Sequence, residues 1–76
     1  MYKNDCPLPE IITGKDYIIT HIEDNVKYLF KFGFTCGAAT RKVFKSPSGN
    51  PSAYEIMGTV IALRDEDAAN ISVKPL

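Results

Sequence analysis

The chain has 76 residues, a length that admits one small core and no second domain. Hydrophobic residues make up 45% and charged residues 24% of it, a balance that excludes the disordered class. Nine basic residues against 9 acidic ones leave no net field to draw in a nucleic acid or an anionic lipid surface, so a partner would be met by shape and apolar contact.

Cys6 and Cys36 are too few for the stapled framework of a small secreted domain, so both thiols are expected reduced and the location cytoplasmic. The first residues lack the apolar stretch of a signal peptide, and no segment approaches the roughly eighteen apolar residues that span a bilayer. Contact with a membrane would be indirect, through a partner.

Residues 1–13 read as a lead-in arm, punctuated by Pro7 and Pro9 and docked through Leu8, Ile11 and Ile12. Gly14 opens a turn, and residues 16–22, rich in β-branched and aromatic side chains, form the first strand. Asp24 or Asn25 then caps a short α-helix. In it Val26, Leu29, Phe30 and Gly33 share one face and Lys27, Tyr28 and Lys31 another. The helix stops at Gly33, Gly37 reverses the chain again, and Phe34 between them is a core anchor. Residues 40–45 form a second strand in which Val43 faces away from Lys42 and Phe44.

Residues 46–52, with Pro47, Gly49, Asn50 and Pro51, cannot continue a ladder and form a loop. Strands at 53–57 and 59–64 follow, joined through Gly58, and Val60, Ile61 and Leu63 mark the second of them as the most buried. Asp65, Glu66 and Asp67 begin a single helical turn, with Asp65 as its capping acid, and residues 71–73 close the chain as a last strand. Five strands of this length, with a helix after the first and a helical turn before the last, predict a mainly β domain. It would be a closed or partly open small barrel over residues 14–74.

Several residues match a known pattern together: Gly14, Ile19, Ile22, the run Gly33, Phe34, Thr35, Cys36, Gly37, and the segment 58–64 followed by Ala68, Ile71 and Val73. On these the chain resembles, from about Gly14 to Val73, the FeoA family of ferrous-iron transport accessory proteins. The resemblance implies an SH3-like barrel that works in the cytoplasm as an adaptor, touching a FeoB-type GTPase transporter. The alternative it implies is a metal-responsive regulatory module, related to the C-terminal barrel of metal-dependent repressors. Phe32 and Cys36 stand where many members carry leucine and proline.

Chemistry-bearing residues are sparse. Cys6, His21 and Cys36 have none of the short paired spacings that pre-organise a metal, and Asp65, Glu66 and Asp67 are explained by the helix start, so no metal or cofactor site is assigned. Gly14, Lys15 and Asp16 lack the upstream glycine and following hydroxyl of a phosphate loop, and the serines lack a base, so no catalytic residue is assigned either. The residues expected to meet a partner are Tyr28, Lys31 and Phe32 on the helix and Ser48, Gly49 and Asn50 in the loop. An unpaired strand edge leaves room for weak self-association.

Overall fold

The structure is a computed structural model and describes residues 5–76; the first four residues of the lead-in arm lie outside it. Six strands form one antiparallel sheet: β1 (Cys6–Pro7), β2 (Asp16–Ile22), β3 (Ala39–Lys45), β4 (Ser52–Ile56), β5 (Thr59–Leu63) and β6 (Ile71–Pro75). Their order across the sheet is β1-β6-β2-β3-β4-β5. Leu8–Glu10 is a 3-10 turn, Asp24–Phe32 a longer 3-10 helix, and Asp65–Ala68 a single α-helical turn, α1, packed against the first of these. The core gathers Leu8, Ile19, Val26, Leu29, Phe34, Tyr54, Ile56, Ile71 and Val73, all at most 2% exposed.

Part of the arm is therefore integral to the fold. Cys6 and Pro7 pair with Val73 and Ser72 as the sixth strand, and Leu8 is sealed in the core, while Ile12 stays 63% exposed. Thr20 donates to the Asp5 carboxylate and ties the start of the segment down. Burial, with Glu10 and Asp5 nearby, pushes the Cys6 thiol pKa up.

The helix after β2 departs from expectation. Its hydrogen bonds close three residues back, as between the Val26 amide and the Glu23 carbonyl at 3.1 Å, and no side chain caps it. A three-residue repeat stacks Val26 over Leu29 and buries both, whereas Phe30, one step off that column, is turned out to 67% exposure. Gly33 ends the segment at φ 107°, and there the turn between β4 and β5 lies directly against it. A Cβ at Gly33 would overlap Met57 Cγ and stand 3.3 Å from Ile56 Cγ1, so close approach as well as backbone conformation requires glycine.

Alternation along β3 is broken by a bulge between Lys42 and Phe44, which separates two residues expected on one face. Lys42 is 1% exposed and Phe44 58%. The Lys42 ammonium donates to the Pro9 carbonyl at 2.6 Å and lies 5.8 Å from the centre of the Tyr54 ring. Desolvation of this buried cation lowers its pKa.

The burial assigned to the strand at 59–64 belongs instead to β4, whose Ser52, Ala53, Tyr54 and Ile56 are all buried. β5 lies at the sheet edge with Val60 55% exposed, because an apolar run is central only when strands flank it on both sides. Between the two strands, Met57 and Gly58 both adopt positive φ, as a two-residue hairpin turn requires. Asp65 is the first residue of α1 rather than its cap: its amide donates to the Asn50 side-chain carbonyl at 2.9 Å, so a loop residue caps the turn from outside.

Candidate functional site

A concavity follows from that outward turn of Phe30. A groove of about 380 Å³ runs between the end of β2, the 3-10 helix and the glycine-bounded turn at residues 33–37. Ile22 and Phe34 belong to the buried core beneath it, Phe30 and Lys27 flank it from the helix, and Thr35, Cys36 and His21 complete the lining. Cys36 also borders a second, shallower groove of about 340 Å³ that continues along Ile18, Thr20 and Gly37 to Lys74 on β6.

Several polar groups around this groove are paired. His21 Nε2 and Glu23 Oε2 are 3.1 Å apart, Lys27 Nζ and Asp24 Oδ1 3.0 Å, and the Cys36 thiol donates to the Thr20 carbonyl at 3.6 Å. These side-chain contacts are exposed and contribute little to stability, but they leave an apolar depression with a polar rim. Such an arrangement receives a protruding aromatic or aliphatic side chain. His21 and Cys36 both line it, but His21 contacts Glu23 and the Cys36 thiol donates to the Thr20 carbonyl.

Tyr28 and Phe32 are 49% and 41% exposed on the 3-10 helix, and Lys31 is exposed with its ammonium 5.7 Å from the centre of the Phe32 ring. All three share the segment that carries Phe30 and Lys27 into the groove, although none lines it. The loop residues form a separate set. Gly49 donates to the Ser46 carbonyl at 2.8 Å, Ser48 donates to the Asn50 carbonyl at 3.0 Å, and the Asn50 side chain is spent on α1. None of the three borders the groove beside Phe30.

Phe30 is the groove residue that sequence reasoning assigned to the core face. Spacings of three and four favour an α-helix that would bury it; the single pair three apart, Val26 and Leu29, fits either kind of helix, so no signal in the sequence marks Phe30 as exposed.

For metal, Cys6 and Cys36 are free thiols, and among the described residues no three His, Cys, Asp or Glu side chains come together as a coordination sphere would need. The three acids of α1 do not form such a group either. Among the described residues no helix is long and apolar enough to cross a membrane.

With that geometry in place, comparison with known proteins is decisive for the family. A model of the FeoA domain matches residues 6–75. The chain belongs to the FeoA family. Its structure is similar to that of FeoA from Chlorobium tepidum, at 26% identity and a TM-score of 0.83, covering 92% of this chain and 70% of that one. It is also similar to zinc-complexed FeoA from Stenotrophomonas maltophilia, described as a prokaryotic SH3 domain protein, at 27% identity and a TM-score of 0.74, covering 88% and 87% of the two chains. The SH3-like architecture implied by the sequence pattern is thus the observed one. A manganese-dependent transcriptional repressor shares the fold at 16% identity and a TM-score of 0.85, covering all of this chain and 44% of that one. Compared by sequence with curated proteins, the chain finds no match.

Proposed function

We propose that this FeoA-family protein is a cytoplasmic accessory of ferrous-iron transport that acts by protein contact, its partner being the soluble part of a FeoB-type GTPase transporter. The observation that carries the reading is the pairing of family membership with the apolar groove beside Phe30. The S. maltophilia relative is put forward as a bacterial ferrous iron transport activating factor, which is the same class of role. In this reading Phe30, 67% exposed, and Tyr28, Lys31 and Phe32 beside it form the contact, with an apolar side chain of the partner seated over Phe34. Ser48 and Gly49 offer a braced secondary contact, and the role needs no resident metal.

The test is a calorimetric titration of the transporter's soluble domain with the wild type and with Phe30→Ala. The aromatic ring is mostly in water, so the variant keeps the fold and is expected to bind about tenfold more weakly or worse. Failure of the wild type to bind at high micromolar concentration, or equal binding by both chains, would overturn the proposal.

The alternative, a metal-responsive regulatory module, draws on the barrel shared with the manganese-dependent repressor, a likeness of fold alone. Titration with ferrous, manganous and zinc ions separates the two readings, since tight stoichiometric uptake belongs only to the second.

A further inference from the structure

The two edges of the sheet are built differently. At one end β1 is two residues long and contains Pro7, and a short edge with a missing amide offers little to a foreign strand. At the other end β5 runs for five residues, Thr-Val-Ile-Ala-Leu, with no charge and no proline, and its pairing with β4 is free of bulges. The usual safeguards of an exposed edge are missing there.

Hairpin geometry says which groups that edge presents. Ile56 and Thr59 flank the two-residue turn and so exchange both hydrogen bonds, and alternation makes Tyr54 with Ile61 and Ser52 with Leu63 the other bonded pairs. Val60 and Ala62, opposite Glu55 and Ala53, are the non-bonded positions, so their amides and carbonyls point away from β4. Among the described residues no backbone bond from a loop or turn reaches them, and both side chains are exposed.

We infer that β5 is a self-association surface, on which β5 of a second copy of this chain pairs antiparallel about a two-fold axis at Ile61. In that register Val60 stands opposite Ala62 of the second copy, and Ala62 opposite its Val60. The outward amides and carbonyls of one strand meet those of the other in four hydrogen bonds. The side-chain rows join as well. Phe44, Ala53 and Ala62 lie in one row across β3, β4 and β5, and Val60 of the second copy extends it, covering a side chain that is otherwise 55% exposed. No like charges oppose one another within the paired strands, because Thr59–Leu63 carries none. This self-complementarity selects a second copy over an arbitrary extended segment. The inference is independent of the partner proposed above.

The experiment is sedimentation equilibrium of the full chain from micromolar to millimolar concentration. The wild type is expected to shift from the mass of one chain toward that of two. Val60→Lys and Ala62→Glu alone should each weaken association about tenfold or more, because the two-fold axis counts every substitution twice. An equimolar mixture of the two variants should restore a heterodimer, since only this register places the new lysine opposite the new glutamate. Both positions are exposed on an edge, and circular dichroism checks that each variant folds. A wild type that stays monomeric throughout, a dimer indifferent to Val60→Lys, or a mixture that fails to recover would each overturn the inference.

Discussion

Removing a hydroxyl from the middle of the core should leave this protein as stable as before, or more so. Tyr54 is fully buried, and neither its hydroxyl nor the buried Ser52 hydroxyl near it has a hydrogen-bond partner of proper geometry among the described residues. A buried polar group without a partner costs about 1–3 kcal/mol of desolvation, whereas the ring supplies the packing. Tyr54→Phe keeps the ring and deletes the cost, so at neutral pH it should raise stability by up to about 1–3 kcal/mol. For a domain of this size each kcal/mol shifts the thermal midpoint by about 4–8 °C.

The alkaline limb gives a second, sharper readout. Burial pushes the phenol from 10.0 up to about 12, with the neighbouring Ser52 hydroxyl pulling weakly the other way. The folded-state pKa is thus raised above the unfolded one. The associated stability is fully present below pH 10 and is lost as pH climbs toward 12, by about 3 kcal/mol for a shift of this size. Lys42 works with the opposite sign. Its pKa is lowered from 10.5 by burial, so the unfolded chain binds more protons just below that value and stability rises with pH there. The difference between wild type and Tyr54→Phe, measured by urea denaturation from about pH 8 to 11, isolates the phenol and should widen above about pH 10 in favour of the variant. A Tyr54→Phe variant less stable than wild type by more than about 1 kcal/mol at neutral pH would show that the hydroxyl is satisfied, and the reasoning would fall.

Leu8→Ala removes a fully buried side chain contributed by the N-terminal segment and should cost about 2–5 kcal/mol in urea denaturation, close to unfolding a domain this small. Asn50→Ala deletes the acceptor for the Asp65 amide and should cost about 0.5–2 kcal/mol by the same measurement, with amide exchange accelerating in α1 rather than in β2. Gly33→Ala meets both a left-handed backbone and the Met57 side chain, so its thermal midpoint should fall by more than the loss of about 1 kcal/mol that backbone strain alone predicts; relief by Met57→Ala in the double variant would confirm the contact.

What the sequence made legible was whatever depends on local chemistry. The β-branched run at 16–22, the helix-ending glycine at 33 with its positive φ, the anchor Phe34 between two glycines and the acidic turn at 65–68 all sit where neighbouring residues dictate, and so does the family pattern. What it hid depends on residues far away in the chain. Cys6 and Pro7 become a strand only because Ser72 and Val73 lie beside them, a pairing too short to leave any periodicity. Lys42 looks like a surface residue until the bulge in β3 turns it inward toward the Pro9 carbonyl, 33 positions away. Whether an apolar run is central or at an edge is a property of the sheet, so β5, the more apolar strand, could be read as core when β4 is.

The candidate site belongs to this second kind, and for a physical reason. Its defining residue, Phe30, is exposed because a 3-10 column places Val26 and Leu29 inward and leaves the next position out, and the column closes at Gly33, where Met57 allows no Cβ. The β4-β5 turn thus fixes the end of the helix that presents the groove, and the same turn sets which amides of β5 face outward. One hairpin therefore governs both proposed contact surfaces. A substitution at Gly33 or in the Met57-Gly58 turn should disturb transporter binding and self-association together, whereas Phe30→Ala should affect only the first and Val60→Lys only the second; measuring both properties on all four variants separates a shared structural cause from two local ones.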